Sequence, residues 1–410
     1  MTPRVAVVYH SRRGTMRALA GAAAAGARAR GAQVRLLRVA GDEPGPGLPD
    51  GVAAPEDVLW ADGLVLASPT YFGNVSAAFK RFLDSTSKLW CEGLLADRVV
   101  TGMTAATCLH GGREATLLTL YQSVYHWGSW VLGTEPGDPA FHGAGGNPYG
   151  LAVTALRDGS VAEDDLAAAW ALGHRLAAAA GRARPRRPAE DRPRAGGRGE
   201  RGRVTVVHCA EDETVRLLAQ ECAAGARELG AEVRLRRLVG PGVRRESGLP
   251  ARAGGAPPAA AVGPDDVAWA DSVVFGAPAR AGAVAAPLLG FLQSLEPPAG
   301  PGPLAGKPAS GFVSTARPHA GSESALLSLH HVLHHSGAVV VPPGYTDPAV
   351  FEAGGNPYGT SHTRSAGALP TVQALAAARH QGRRMALAGD RLRRRPSAPR
   401  ADTPLGKEVT

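Results

Sequence analysis

The sequence has few cysteines, few aromatic residues and no long hydrophobic run, and each shortage excludes a class of protein. The four cysteines, Cys91, Cys108, Cys209 and Cys222, form no CxxC pair and no zinc-ligand pattern with histidine, so we expect no metal site. No apolar run approaches the roughly 20 residues that a membrane-spanning helix needs. The chain opens directly into a strand-like run without a signal-peptide pattern, and we therefore expect a reduced, cytoplasmic protein without a membrane partner.

The net charge of +9 would suggest nucleic-acid binding, but the excess of basic residues lies in two short segments. Residues 182–203 hold nine arginines against three acids, and residues 379–410 hold nine arginine or lysine residues against three acids. The rest of the chain is therefore slightly acidic. No aromatic residue lies among these arginines to stack on bases, so we do not expect a nucleic-acid partner. We interpret residues 182–203 as a disordered basic linker and residues 394–410 as a disordered tail.

The segment AGGNPYG occurs twice, at residues 144–150 and at residues 353–359. Around each copy, short β-branched runs alternate with alanine- and leucine-rich segments in the same order, which predicts a parallel sheet with helices on both faces. A chain of 410 residues is also long for one domain and sufficient for two. We therefore predict an α/β protein with two tandem domains, residues 1–181 and 204–393, each built on a doubly wound, five-stranded parallel sheet.

Three loops of the first half form the candidate site. The predicted strands are residues 4–9, 33–39, 61–67, 99–104 and 129–133, and the predicted helices are residues 16–30, 76–88, 113–127 and 163–180. Three of the loops that follow strands are rich in serine, threonine, glycine and asparagine. Ligands bind at the carboxyl edge of doubly wound sheets, so we expect a ligand at these loops.

The first loop consists of Ser11, Arg12, Arg13, Gly14 and Thr15, between a strand and a helix. Backbone N–H groups at a helix N-terminus, two hydroxyl groups and two arginines suit an anion such as a phosphate group. The alternative is that Ser11 and Thr15 are ordinary helix caps. The loop has no Walker Gly-Lys-Ser/Thr sequence and no GxGxxG sequence, which argues against a nucleoside triphosphate or a dinucleotide.

The second loop follows the third strand and contains Pro69, Thr70, Tyr71, Phe72, Gly73 and Asn74. Two consecutive aromatic residues beside backbone amides suit a flat heteroaromatic ring, and Gly73 allows close approach of the backbone. The alternative is that Phe72 packs into the core.

The third loop, residues 104–112, begins with Thr104, Ala105, Ala106 and Thr107. Its small and hydroxyl-bearing residues suit a ribityl or ribose chain. Cys108 lies in this loop without a visible base, so a resting thiol is the simpler interpretation.

Three further residues, Trp90, His126 and Trp127, follow the neighbouring predicted helices. They form either a stacking lid beside the ligand loops or part of the core. The sequence alone leaves both possibilities open.

Three segments of the first half together resemble a known family. The runs SPTYFGN at 68–74, FLDSTSKLW at 82–90 and GGNPYG at 145–150 are similar to those of flavodoxin-like NAD(P)H:quinone oxidoreductases of the tryptophan-repressor-binding-protein type. The resemblance extends over nearly all of residues 3–180. It implies two tandem flavodoxin-like domains, with FMN bound non-covalently at the carboxyl ends of the strands.

The resemblance also implies a role for each candidate residue. The first loop with Met16 would hold the FMN phosphate, the second loop would lie against the isoalloxazine ring, and residues 104–107 would support the ribityl chain and the polar edge of the ring. A tryptophan and a histidine border the substrate pocket in this family, which implies Trp90 and a residue at His126 or Trp127.

The family reduces quinones by two electrons, which NAD(P)H delivers as hydride through FMN. The resemblance therefore implies an FMN-dependent NAD(P)H oxidoreductase acting on a quinone or a similar planar aromatic acceptor. Family members assemble as tetramers, which implies a homodimer of fused chains, a pseudo-tetramer. Two alternatives stay open: a non-catalytic redox-sensing or scaffold flavoprotein, and a tailoring flavoenzyme of a biosynthetic pathway.

The second half keeps the order of strands and helices but not the ligand-type residues. The acidic sequence Ala210-Glu211-Asp212-Glu213-Thr214 stands in place of the first loop. Ala281 replaces Phe72, and Ala299 replaces Trp90. We therefore expect no FMN in the second half and one FMN per chain.

Four histidines lie on one predicted helix of the second half: His330, His331, His334 and His335. Their i, i+4 spacing is compatible with metal binding, but no glutamate accompanies them in an HExxH pattern. We expect them on the surface or beside a pocket rather than in a metal site.

Overall fold

The computed structural model describes residues 2–41, 50–156, 158–183, 202–209, 212–239, 259–297, 300–364 and 369–393. Most of the predicted linker, residues 184–201, and the predicted tail, residues 394–410, lie outside these described residues. The domain boundaries at residues 181 and 204 therefore stay predictions.

The first half follows the predicted alternation of strands and helices, with strands of β-branched and aliphatic residues and helices rich in alanine and leucine. Its strands are β1 (Arg4–Tyr9), β2 (Gln33–Arg38), β3 (Gly51–Val52), β4 (Gly63–Pro69), β5 (Val99–Ala106), β6 (Trp130–Leu132) and β7 (Leu151–Thr154). Its helices are α1 (Thr15–Ala29), α2 (Pro55–Trp60), α3 (Ala77–Ser85), α4 (Ser87–Cys91), α5 (Arg113–His126), α6 (Pro139–Gly143) and α7 (Glu163–Ala183).

The second half repeats the order of the main elements. Its strands are β8 (Arg203–Cys209), β9 (Glu232–Leu238), β10 (Ala260–Ala261), β11 (Ser272–Arg280), β12 (Ala283–Val284), β13 (Pro308–Thr315), β14 (Val339–Val340) and β15 (Thr360–Thr363). Its helices are α8 (Glu213–Glu228), α9 (Pro264–Trp269), α10 (Ala286–Ser294), α11 (Ser322–His335), α12 (Pro348–Glu352) and α13 (Val372–Leu392).

Each half has the predicted doubly wound topology. The parallel strand order is β3-β2-β1-β4-β5-β6 in the first half and β10-β9-β8-β11-β13-β14 in the second. In the first half α1 and α7 cover one face of the sheet and α3 and α5 cover the other, which gives two apolar layers. The fold prediction is confirmed.

The fifth strand position is divided into two segments, which the sequence analysis did not predict. β6 pairs with β5 at Val99 and Val100, and β7 pairs with β5 from Met103 onwards. Residues 133–150, which include the first AGGNPYG, leave the sheet between these segments. The predicted strand at 129–133 therefore supplies only the first part of this position.

The two halves join edge to edge, and their strands continue as one sheet. β6 pairs antiparallel with β14, with Val131 opposite Val340 and Leu132 opposite Val339. Val131 and Val340 are equivalent positions, 209 residues apart, so an approximate twofold axis passes through this pair. Because the pairing is antiparallel, the carboxyl edge of each half lies on the same side as the amino edge of the other.

Candidate active site

The first loop leads into α1 with no side-chain cap. Gly14 precedes the helix with a φ of 98°, and its N–H donates to Ser11 Oγ at 3.2 Å. The first turn of α1 contains no acidic residue, while Arg12 and Arg13 are exposed beside it. An anion approaching this helix end from solvent would therefore meet the N-terminal N–H groups of α1, with two exposed arginines nearby.

The two residues that begin α1 point inward. Thr15 is buried and its hydroxyl donates to the Gly159 carbonyl at 3.3 Å, and Met16 packs in the core with 2% exposure. Their backbone N–H groups, rather than their side chains, are the groups available at this helix end.

The second loop is a tight turn that displays an aromatic side chain. Tyr71 and Asn74 exchange two backbone hydrogen bonds, of 2.8 and 2.9 Å, around Phe72 and Gly73. Phe72 has a φ of 49°, a strained conformation for a bulky residue, and its side chain is fully exposed. The alternative that Phe72 packs into the core is therefore wrong.

Three threonines connect the second and third loops. Thr116 on α5 donates to the Thr70 hydroxyl at 3.1 Å, and the hydroxyl oxygens of Thr70 and Thr104 lie 3.0 Å apart. Thr104 in turn donates to the Ser68 carbonyl at 2.8 Å. This series of hydrogen bonds fixes the base of the site, between Pro69 at the end of β4 and Ala105 and Ala106 at the end of β5.

The third loop packs directly against the second. Gly112 approaches so closely that a Cβ there would lie 3.0 Å from the Gly73 Cα. Arg113 holds this loop to β7, because its guanidinium donates to the Ala152 carbonyl at 2.9 Å and to the Leu109 carbonyl. Thr107 is exposed beyond the end of β5. The three predicted loops therefore meet at one edge of the sheet.

Trp90, His126 and Trp127 do not belong to this group, which corrects the expectation of a lid beside the loops. Helix α5 starts at the third loop and is about 20 Å long, and His126 ends it. The Trp90 indole N–H donates to the His126 carbonyl at 2.9 Å, which places Trp90 at the same far end. Trp127 is 6% exposed and packs in the core. All three lie toward the amino edge of the first-half sheet.

Trp90 and His126 contact the second half instead. Trp90 meets Tyr345 edge-on with 5.5 Å between ring centroids, and His126 meets Tyr358 edge-on at 5.5 Å. The reciprocal contact joins the Tyr149 hydroxyl to His335 Nε2 at 3.0 Å. Each half therefore places aromatic residues against the other half. The repeated AGGNPYG contains Tyr149 and Tyr358, but no sequence signal indicated Tyr345.

In the second half a carboxylate caps the helix end equivalent to the first loop. Asp212 is buried, and its Oδ1 accepts hydrogen bonds from the N–H groups of Thr214 and Val215 at 2.9 and 3.3 Å. Its Oδ2 accepts a hydrogen bond from Ser314 and pairs with Arg364 at 3.4 Å. The charge of Asp212 is therefore compensated within the second half. Ala210, Glu211 and Ala299 lie outside the described residues.

The second-half turn keeps its backbone without its aromatic side chain. Ala281 and Gly282 have φ values of 48° and 79°, close to those of Phe72 and Gly73. The hydroxyl of Thr70 has no counterpart, because Ala279 occupies its position. The second half thus retains the shape of the second loop and loses its chemical groups.

Two of the four α11 histidines, His330 and His334, are buried at the junction, so the expectation of surface or pocket positions is wrong for them. His335 is exposed and lines a cavity, as expected, and His331 is half-buried. His330 and His334 are fully buried, and burial lowers the pKa of both to about 3. Both imidazoles are therefore neutral at physiological pH. Within the described residues, no group of three or more potential ligands could hold a metal ion.

Comparisons with known proteins identify the family that the chain matches and several of its relatives. A profile described as NADPH-dependent FMN reductase matches residues 3–142 and 204–348. A Deinococcus radiodurans protein named NAD(P)H dehydrogenase (quinone) is 39% identical over 169 residues, which cover 37% of this chain and 83% of that protein. An Archaeoglobus fulgidus protein of the same name is 35% identical over 188 residues, or 42% of this chain and 95% of that protein.

A solved flavodoxin, a WrbA-like protein from Agrobacterium tumefaciens, is 27% identical to the chain with a TM-score of 0.34. It aligns over 45% of this chain and 100% of its own. None of the described helices combines the length and the apolar character that crossing a membrane requires.

Proposed function

We propose, because the chain belongs to the NADPH-dependent FMN reductase family, that it is an FMN-dependent oxidoreductase that passes hydride from NAD(P)H to a quinone. A similar planar aromatic acceptor would fit the same chemistry. The relatives named NAD(P)H dehydrogenase (quinone) support this acceptor class. The observation that carries the proposal is the meeting of three loops at the carboxyl edge of the first half, beside a helix end without an internal cap.

The residues present fit FMN. The phosphate would lie against the N–H groups at the start of α1, with Ser11, Arg12 and Arg13 beside it. The ring would lie against the turn at residues 69–74, and the ribityl chain along residues 104–107. When bound, FMN supplies the hydride acceptor and donor of the reaction.

The side chains have a positioning role in this proposal. The hydrogen bonds from Thr116 to Ser68 hold the second and third loops together, while the exposed Tyr71 and Phe72 offer flat surfaces that exclude water from a bound ring. No acid–base pair is required of the protein, since the cofactor carries the redox chemistry.

The second half is proposed to bind no FMN. The Asp212 carboxylate accepts two N–H groups at the start of α8, where a phosphate would otherwise bind. A phosphate there would have to displace a buried carboxylate that Ser314 and Arg364 also hold. We therefore expect one FMN per chain.

The remaining proposals concern assembly and compartment. A homodimer of fused chains follows from the family resemblance and is tested by sedimentation of the purified protein. A reducing, cytoplasmic compartment is supported by the cysteines, none of which forms a disulfide in the described structure.

The test combines cofactor counting with turnover. Purified chain saturated with FMN and then freed of excess cofactor should contain one FMN per polypeptide. Under anaerobic conditions NADPH should bleach the flavin absorbance, and benzoquinone should restore it with continued NADPH oxidation. A flavin that stays oxidised under NADPH would instead favour the non-catalytic flavoprotein, and two FMN per chain would contradict the role given to Asp212.

A further inference from the structure

At the junction, the first and second halves carry different residues at equivalent sequence positions, and these residues contact one another. Residues 209 apart are equivalent here, so Tyr121 corresponds to His330 and Tyr125 to His334. Helix α5 therefore presents two tyrosines where α11 presents two histidines.

Each of these histidines contacts a tyrosine of the other half. The Tyr125 hydroxyl lies 3.1 Å from Nε2 of His334, its own equivalent, which places this contact on the approximate twofold axis. The Tyr121 ring stacks on His334 at 5.7 Å, and the Tyr125 ring meets His330 edge-on at 4.8 Å. Burial keeps Tyr125 protonated and His334 neutral, so the hydroxyl group and the imidazole share one hydrogen bond whose direction follows the imidazole tautomer.

A second difference lies at the same junction, on the opposite face of the sheet. The Asp97 carboxylate of the first half binds Arg384 at 3.0 Å and Arg391 at 2.9 Å, both on α13. The equivalent of Asp97 in the second half is Gly306, which has no carboxylate. The first half therefore supplies the acid that the second-half arginines need.

Two second halves facing each other would lack both kinds of complementarity. Imidazoles would be buried against imidazoles, and Arg384, which is 7% exposed, would face a glycine instead of a carboxylate. A guanidinium group buried without an acid is strongly unfavourable.

We propose that α11 and α13 form an interaction surface selective for a first-half surface, the one formed by α5 and Asp97. The second half is then a dedicated partner of the first half, rather than a spare copy able to pair with itself. This proposal does not depend on FMN or on the reaction.

The test exchanges Tyr125 and His334 in the full chain. Y125H places histidine opposite histidine, H334Y places tyrosine opposite tyrosine, and Y125H/H334Y restores one of each. We expect each single change to lower the thermal unfolding midpoint at neutral pH by about 4 °C or more. The double exchange should lose less than half of the summed single losses, since total side-chain volume and the donor–acceptor pair are both restored.

A double exchange that loses as much as the two single changes together would overturn the proposal, because packing at each site would then matter and complementarity would not. If a histidine or tyrosine substitution prevents folding, Y125F, H334F and their double variant apply the same criterion. Y125F removes the hydroxyl group, and H334F replaces the imidazole by an aromatic ring without polar atoms. Additive losses in that second series would equally overturn the proposal.

Discussion

Replacing Asp97 by asparagine tests how strongly one carboxylate holds the two halves together. Its side chain is 21% exposed and accepts from two guanidinium groups of α13, those of Arg384 and Arg391. Burial alone would raise the pKa of the Asp97 carboxyl group, but the two guanidinium groups outweigh burial and hold the pKa below its usual value. Asparagine keeps the shape and tolerates the φ of 62° found at this position, so the change removes mainly charge.

The expected loss of unfolding free energy depends on the two guanidinium groups that stay at the junction after the Asp97 charge is removed. Removing one member of a buried ion pair typically costs about 3–5 kcal/mol, because the remaining charge stays buried without its partner. Arg384 also donates to the carbonyls of Gly128 at 2.8 Å and Pro342 at 3.1 Å, which partly compensates. We therefore expect D97N to lower the free energy of unfolding by about 3 kcal/mol, the lower end of that range. The thermal midpoint should fall by about 6 °C or somewhat more.

The assay compares wild type, D97N and D84N by calorimetry and urea unfolding. Asp84 forms an exposed i, i+4 ion pair with Lys80 and is the matched control, with an expected loss of about 0.5 kcal/mol or less. Because the pKa of Asp97 is depressed, its contribution is complete above pH ~4 and is lost as the pH falls through the depressed value. A D97N loss no larger than that of D84N would refute the reasoning.

Three further predictions concern the site and the junction. R13D introduces a carboxylate at the position equivalent to Asp212 and should abolish FMN binding in a fluorescence titration. D212N should leave one FMN per chain. Retained FMN binding in R13D would count against the assignment of the first loop to the phosphate. F72G and A281G should each stabilise the chain by up to about 1 kcal/mol by relieving a positive φ, but only F72G should weaken FMN binding. Acid should weaken the junction, because the buried α11 histidines have folded pKa values of about 3, so the unfolded chain binds more protons below pH ~6.5. At pH ~5 the loss is about 2 kcal/mol for each of the two, measured by urea unfolding; unchanged stability between pH ~7 and ~5 would contradict this.

Much of the fold was predictable because its signals are local. Runs such as Arg4–Tyr9 and Val99–Ala106 are continuous β-branched or small apolar segments, which buried parallel strands require. β7 was missed because residues 133–150 separate it from β6, and four residues give too short a pattern. The pairing of β6 with β14 was not predictable from either half, because the sequence of an edge strand does not indicate which strand it will pair with.

The loops of the site were predictable for a similar reason, and the aromatic residues were not. Glycine and hydroxyl residues at strand ends indicate where a ligand can approach, and those loops do meet in space. Trp90 and His126 are adjacent to the same elements in sequence, yet the length of α5 carries His126 to the opposite edge. His330 and His334 were expected on the surface or beside a pocket because their tyrosine partners are about 200 residues away in the sequence.

The second half shows why a conserved backbone does not by itself indicate a second site. Its turn at Ala281 and Gly282 keeps positive φ values although no aromatic side chain is displayed. Packing explains this, because a Cβ on Gly321 would lie 3.3 Å from the Gly282 Cα, much as Gly112 approaches Gly73 in the first half. The shape of the edge is therefore required by the neighbouring helix in both halves, whatever binds there. The helix end left without a phosphate is satisfied from within by Asp212, so this half can keep the fold and the junction without a cofactor.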